Sequence, residues 1–589
     1  MAFLTGLPLT GSAANITWTG GDGTWTDGAA NNANWTPADE PDSNDAAIFN
    51  TANVIGMGSA NTINGLTMTG GADLLLAGNS LTVAGATTIG GSGTRLVLAD
   101  AASVLTGQNL TINSGANLAL DGGTVNLEIA GNTSAKLTIG NGGTLSGNGT
   151  IAMTDAEFIT LVDNNGTITA SNPPPNSFTA PAPAVLLIEP ANSFSLIDLD
   201  GSLETGVVNI LRNQTLNLEI AINDAFNGTL EMAHGAVLDL PVIFHLGAGG
   251  AFNVDNGFVT GFPSIPATQC KISGNFFGVF GGTFTLEDND GTLLLDTQFL
   301  MEGGSFINNG HVIFARNVEL RSGGNFQNVG PESGITVRSA SNVIIEQPDF
   351  DLDSLNTVNS FITVEGNSII NATLGDYDPD SVVNSFDSTI NLQNGHFNIT
   401  TGDAEFVMDG TLNMLSSNGG DPTLWSGEAL DIGNDAGTLD ADLNVTGTQI
   451  SRISSQVDFN SDADVDVAAG ATLDFTNNVN FDTVNGANNA EFTGAGRLSF
   501  SGGVNVNEAV TLNMVGGIVD LDGSDEVGGF VNIDAPLVIN AGQMAAFGKL
   551  NTSGGINTLD INHSVGTGAL TVNLGTVAEW SLNASRATR

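Results

Sequence analysis

The chain has 589 residues, with 62 Asp or Glu against 12 Lys or Arg and a formal charge of −50. Only 13% of residues are charged, so the imbalance comes from missing bases. That excludes nucleic acid and anionic lipid as partners, because both need a clustered Lys/Arg footprint. A hydrophobic fraction of 41% excludes global disorder.

Residues 1–14 (MAFLTGLPLTGSAA) end in small residues after a modest apolar run, but carry no base near Met1. They read as the remnant of an export leader or as an ordinary N-terminal strand. No stretch reaches the ~20 apolar residues of a membrane-spanning helix. An aromatic-rich opening follows: Trp18, the turn Gly20-Gly-Asp-Gly23, Trp25, Asn34-Trp35, Pro41 and Asp45-Ala-Ala-Ile-Phe49.

From there short runs with period-two alternation recur: Leu81–Val83, Leu96–Leu98, Leu110–Ile112, Leu118–Leu120, Val125–Ile129 and Leu137–Ile139. Turn signals such as Gly90-Gly91, Asp121-Gly122-Gly123 and Gly142-Gly143 punctuate them. Thr154–Val162 reads as one short helix or as another strand. Residues 171–184 (SNPPPNSFTAPAPA) hold five of the 17 prolines and cannot continue a ladder, so they read as a linker or a protruding loop. The domain expectation is a capped solenoid over 15–170 and a second solenoid segment over 185–589. Ser416–Asp435 is a softer break, read as a loop leaving one coil.

Further along, Gly235-Ala-Val-Leu-Asp-Leu240 matches Gly470-Ala-Thr-Leu-Asp-Phe475. Asp198-Leu-Asp-Gly-Ser202 matches Asp520-Leu-Asp-Gly-Ser524, and Asn309-Gly-His311 matches Asn394-Gly-His396. Strand plus glycine corner, repeated, is the mark of a solenoid whose coils bury their faces against one another. Coils of roughly 20–25 residues are expected, with like residues stacked about 4.8 Å apart. A string of antiparallel sandwiches would show longer strands and hairpin turns. The fold class read from the chain is therefore all-β, a right-handed parallel β-helix. Solenoid ends need caps, and Trp18, Trp25, Trp35 and Phe49 suit an aromatic lid over the first coil. A sugar-stacking platform is the alternative use of those rings.

The opening from Asn15 to Asn50 resembles that of bacterial surface proteins with autotransporter-associated β-strand repeats. The likeness continues through Ile63-Asn-Gly-Leu66 and Leu137–Ile151 (LTIGNGGTLSGNGTI), covers about residues 15–170, and loosens afterwards, with Gly494–Gly503 (GAGRLSFSGG) its best later echo. The resemblance implies an exported, right-handed β-helix displayed at the cell surface, adhesive or structural, with no catalytic residues to transfer. Autotransporters end in a membrane β-barrel, whereas this sequence stops at Ser585-Arg-Ala-Thr-Arg589, so it reads as using another route or as a piece of a longer chain.

Among polar constellations, alternation puts Asp349, Asp351 and Asp353 on one strand face, and likewise Asp376, Asp378 and Asp380, and Asp462, Asp464 and Asp466. Glu287-Asp-Asn-Asp290 is a further cluster, as are Asp520, Asp522 and Asp525. Oxygen-only sets suit calcium. The metal-ligand candidates are thus Asp376, Asp378, Asp380, Asp520, Asp522 and Asp525. Against this, no EF-hand spacing or repeated RTX nonapeptide is present, and solvated acidic faces that block edge pairing explain the same residues. The lone Cys270 excludes an intramolecular disulfide, and the five histidines form no zinc motif.

An enzyme of the pectate lyase or polygalacturonase kind is the rival reading. Its first place to look is Asp376, Tyr377, Asp378, Asp380 and His396, since glycoside hydrolysis needs paired carboxylates. Bases for a uronate substrate are scarce, Arg316, Arg321 and Arg338 being the only moderately dense group, and an anionic polymer meets a −50 surface. Catalysis is therefore not expected. Ice binding would need Thr-x-Thr in register on many coils, and the pairs 17/19, 24/26, 67/69 and 167/169 look sporadic. The expected role is an extracellular or cell-surface structural or adhesive solenoid. Its partners are further copies head to tail or surface polysaccharide, and calcium is the one cofactor its acids suit.

Overall fold

A computed structural model describes residues 14–25, 33–127, 135–153, 161–172, 184–190, 196–201, 204–219, 221–222, 225–254, 269–287, 291–321, 323–329, 333–338, 341–345, 361–373, 389–400, 405–408, 410–417, 422–433, 441–459, 463–481, 490–506, 509–520, 531–533, 537–545 and 570–574. The protein is a parallel β-solenoid, all-β, with no α-helix among these residues. Two compact units divide the chain: Met1–Glu287 with Gly291–Thr297, and Asp288–Asp290 with Gln298–Arg589.

In the first unit each coil contributes three short strands, and each strand pairs in parallel with its counterpart one coil on. One such coil is Ala46–Phe49, Val54–Met57 and Asn61–Ile63; the next begins at Gly65–Met68 and continues with Asp73–Leu76 and the first part of Ser80–Ile89. The middle ladder then runs through Arg95–Leu98, Asn117, Thr144, Thr167–Ala170, Val207–Ile210, Thr229–Met232 and Ala251–Val254. Its inward column, Leu74, Leu96, Leu118, Leu145, Ile168, Val208, Leu230 and Phe252, is fully buried. Alternation dictates this: every second residue of a strand faces the core, and a parallel register stacks it on its counterpart.

Corners set the coil. The residue before each middle-ladder strand is small: Ala72, Thr94, Ala116, Gly143, Gly166, Gly206, Gly228 and Gly250. Its carbonyl accepts from the first N–H of the next coil's strand at 2.8–3.1 Å, unbroken from Ala72 to Gly250. A methyl group at Gly228 would stand 2.2 Å from the Gly206 carbonyl oxygen, which is why glycine takes over the column. The glycine-rich turns of the sequence are this corner.

The ladders also cross the proline-rich interval. Gly149–Ala152 pairs with Leu186–Glu189, and Thr167 pairs with Val207, 40 residues on, where Arg95 lies only 22 residues from its partner Asp73. Residues 173–183 lie outside the described residues. Strand pairing on both sides belongs to one unit, and the division between units falls near residue 290. Of Thr154–Val162, Leu161–Asn164 is strand and 154–160 lie outside the described residues. The softer break at 416–435 holds two strands, Leu424–Gly427 and Ala429–Ile432.

The second unit repeats the plan. One ladder runs His311–Phe314, Gly334–Val337, Phe361–Glu365, Thr389–Gln393, Thr411–Ser416, Ala441–Gly447, Ala463–Val467 and Glu491–Gly494. A separate six-stranded sheet holds Glu405–Met408, Ala429–Ile432, Val457–Phe459, Val479–Phe481, Val504–Val506 and Val531–Ile533. Register stacks aromatic rings on one another inside: Phe397 on Trp425 (5.0 Å between centroids), Phe459 on Phe481 (5.5 Å) and Phe475 on Phe500 (5.4 Å).

The start of the first unit is closed by aromatic residues. Asn15–Trp18 pairs in parallel with Ala46–Phe49 and antiparallel with Trp35–Thr36, setting Trp18 opposite Trp35. The Trp18 and Trp35 rings meet edge to face at 5.0 Å, Trp25 meets Trp35 at 5.4 Å, and Phe49 packs beneath all three. None of the four is more than 2% exposed. Buried rings cannot stack on a sugar, so the lid expected from the sequence is the role the geometry supports.

Candidate functional site

Of the six metal-ligand candidates, Asp376, Asp378, Asp380, Asp522 and Asp525 lie outside the described residues, as do Tyr377 and the 349–353 set. Asp520 is described. It ends the strand Val510–Asp520, is fully buried, and its carboxylate pairs with the Arg497 guanidinium. Among the described residues no group of three or more His, Cys, Asp or Glu is arranged to hold a metal ion. No helix among them is long and apolar enough to cross a membrane.

The ion pair at Asp520 has a neighbour built the same way. Arg452 stands in register with Asp474, also fully buried, with Nε 3.6 Å from its carboxylate, and Ser501 Oγ donates to the same carboxylate at 2.6 Å. In the first unit Lys136 Nζ reaches Asp163 at 2.7 Å and Asn165 donates to that carboxylate at 2.7 Å. Each pair joins two coils, so scarce bases are spent where an acid is buried. Sequence spacing cannot reveal this, because the partners are 22 to 27 residues apart and the step varies from coil to coil.

The two Asn-Gly-His motifs make the same kind of contact although they lie in different ladders. His311 and His396 each open a strand, and each Nε2 meets a hydroxyl on the following coil, Thr336 Oγ1 at 2.8 Å and Ser426 Oγ at 2.7 Å. Ser426 gives its own proton to Asn398 Oδ1 at 3.1 Å, so the His396 imidazole donates through Nε2–H. Burial, with the charge of Arg338 second, lowers the His311 pKa to about 4. Burial also lowers the pKa of His396 and of His245, the latter packed between Phe276 and Phe280.

Outward-facing amides form chains. Asn444 donates to Asn413 at 3.1 Å, Asn413 to Asn391 at 2.9 Å and Asn391 to Thr363 at 3.3 Å. A second chain runs from Asn398 to Asn371 to Asn342, at 3.2 and 3.0 Å. In the six-stranded sheet Asn505 donates to Asn480, which donates to Asp458. Every one of these amides donates to the preceding coil, as identical in-register side chains must if each is to satisfy both a donor and an acceptor. The first chain stops at Asn444 because its own column continues as Asp466, which has no N–H to donate; in the neighbouring column Asp442, Asp464 and Glu491 stand opposite one another on successive coils, Asp464 and Glu491 exposed.

Threonines that look sporadic in the sequence also fall into line. Thr67, Thr88, Thr111 and Thr138 occupy one outward column of four consecutive coils, followed by Asp163 and Asp198. No family model matches the chain, and no curated protein or solved structure matches it either.

Proposed function

We propose that this chain is an exported structural or adhesive protein of the bacterial cell surface, working through the repetitive polar exterior of its solenoid. The observation that carries the reading is the coil-to-coil use of polar side chains. Asn391, Asn413 and Asn444, the two Asn-Gly-His motifs and the Arg452–Asp474 pair all join one coil to the next. His396, a candidate for chemistry in the sequence, thus ties one coil to the next, as a scaffold requires. The likeness of residues 15–170 to passenger regions with autotransporter-associated repeats supports the same reading, and the Trp18–Trp35 lid is the cap such a solenoid needs.

Electron microscopy of the purified protein, with and without calcium, tests the proposal. Elongated particles that join end to end support it; isolated globules in both conditions reject it. Protease accessibility on intact cells of the source bacterium tests the location, and protection from added protease would count against surface display.

A further inference from the structure

In the first unit the ladder that holds Asn61–Ile63 and the first part of Ser80–Ile89 continues through Val104–Gly107, Thr124–Leu127 and Thr150–Ala152. Register stacks its outward residues in two columns. One holds Thr62, Thr82, Thr106 and Asn126; the other holds Ser80, Val104, Thr124 and Thr150. Between them Leu81, Leu105, Val125 and Ile151 point inward and are fully buried, so the face is seated on the core. Ser80–Ile89 and Val104–Ile112 continue, past a shift of register at Gly107–Asn109, into the next face. There Thr67, Thr88, Thr111 and Thr138 form a third column.

Three properties set these columns apart. On a chain of charge −50, their strand segments carry no acid, and Lys136, beside Thr138, is their only charged residue. On the same coils the middle ladder carries the Asp73–Arg95 ion pair instead. The hydroxyls are also open: Thr62 is exposed, the other Ser and Thr are half-buried, and none has a hydrogen-bond partner among the described residues. Outward Asn and His of the second unit are, by contrast, joined coil to coil. The spacing is regular in two directions, about 4.8 Å from coil to coil and about 6.7 Å along the strand from Ser80 to Thr82.

We propose that this threonine face binds ice. Each threonine presents a hydroxyl that hydrogen-bonds water and a methyl group that orders the water around it. A grid of such groups holds a layer of water that an ice surface can continue, and its two repeats are close to those of the oxygen atoms on a prism plane. Charge works against this, because ions hold their own hydration and are excluded from ice, so the missing acids fit a neutral occupant. No aromatic ring stands on these strand segments to stack on a sugar. A second copy is short of area: a patch of about 20 Å by 15 Å, roughly 300 Å², is well below the ~800 Å² per partner of a stable interface. Tandem Thr-x-Thr pairs along the chain do not build this grid; the stacking of Thr62, Thr82 and Thr106 from different coils does. The inference goes beyond the scaffold reading, and end-to-end rods with no affinity for ice leave that reading standing.

The test partitions full-length protein between slowly growing ice and the remaining liquid, with an inert protein of similar size as reference. Enrichment in the ice and slowed recrystallisation are expected. T82K/T106K sets two charges on the grid and is expected to return the protein to the liquid. V97K places its charge on the outward side of the middle ladder in the same coil and is expected to leave the enrichment unchanged. Circular dichroism establishes that each variant is folded. If T82K/T106K is not, T82S/T106S carries the comparison; it removes only the two methyl groups and is expected to weaken the enrichment. Exclusion of the parent from ice, equal loss in V97K, or full enrichment in the folded threonine variant that carries the comparison overturns the proposal. So does self-association in sedimentation, or binding to an insoluble polysaccharide, that the threonine variant abolishes while its ice enrichment stays that of the parent.

Discussion

Asp464 stands directly opposite Asp442 in the parallel ladder, carboxylate beside carboxylate one coil apart, and Glu491 stands opposite Asp464 in turn. Like charges in directly opposed positions destabilise a sheet by about 0.2–1 kcal/mol. Salt screens such exposed charges, with a Debye length of about 10 Å at 0.1 M. The melting temperature of the protein therefore rises with ionic strength. Asp464→Asn raises it at low salt, and the gain shrinks as salt is added. A thermal melt with the same midpoint at about 0.01 M and about 0.5 M salt would remove repulsion along the columns as a factor in stability.

Acid weakens the second unit through His311. An unfolded histidine takes its proton near pH 6.5, whereas His311 in the fold stays neutral until about pH 4. Between those values the unfolded state binds more protons, so the contribution is complete above pH 6.5 and is lost as pH falls toward 4. The loss totals about 3 kcal/mol. His311→Gln keeps a donor for Thr336 and titrates no proton, so its stability should change less than that of the parent between pH 7 and pH 4.5. Equal changes in urea denaturation would contradict the burial of His311.

At Gly228 the corner has no room for a side chain. Gly228→Ala places a methyl 2.2 Å from the Gly206 carbonyl and 2.9 Å from the Asp200 side chain, so the backbone must shift. A cost of about 1–3 kcal/mol or more is expected. Gly56→Ala, where nothing lies within 4 Å, should be close to neutral. Urea midpoints that fall equally in the two variants would show that glycine matters here for some reason other than space.

The aromatic lid holds the first coil. Trp35 touches Trp18, Trp25 and Phe49, and Trp35→Ala should cost about 3–5 kcal/mol. Hydrogen exchange should then quicken in Asn15–Trp18 and Ala46–Phe49 before the rest of the unit. Added oligosaccharides should leave the intrinsic tryptophan fluorescence of the parent unchanged. Quenching by a sugar would reopen the stacking role for these rings.

Much of the fold is legible in the chain, because its determinants are local. Alternation in Leu96–Leu98 or Leu137–Ile139 states which residues face inward, and Gly142-Gly143 states where the chain turns. The lid too is legible, since four large rings at one end of a solenoid have an open core to cover. The fate of Asp520 is not legible. Its echo of Asp198 suggests an oxygen cluster, yet its partner is Arg497, 23 residues away, and nothing between them specifies the meeting. The pairing across 171–184 is hidden in the same way, because a proline-rich run looks alike whether it separates domains or leaves a coil and returns.

Composition and periodicity by themselves determined that the chain is acidic, all-β and coiled, with glycine corners and apolar faces turned inward. Those properties follow from contacts within a few residues and from the two-residue repeat of an extended backbone. Only the tertiary structure decided which outward residues share a column: Thr67 with Thr88, Asn391 with Asn413, and Asp442 with Asp464. Coil length varies from 19 residues at Val54–Asp73 to 40 at Thr167–Val207, so spacing along the chain does not encode register. Register is settled by the stacking of one coil on the next, where core columns and corner hydrogen bonds must all align together.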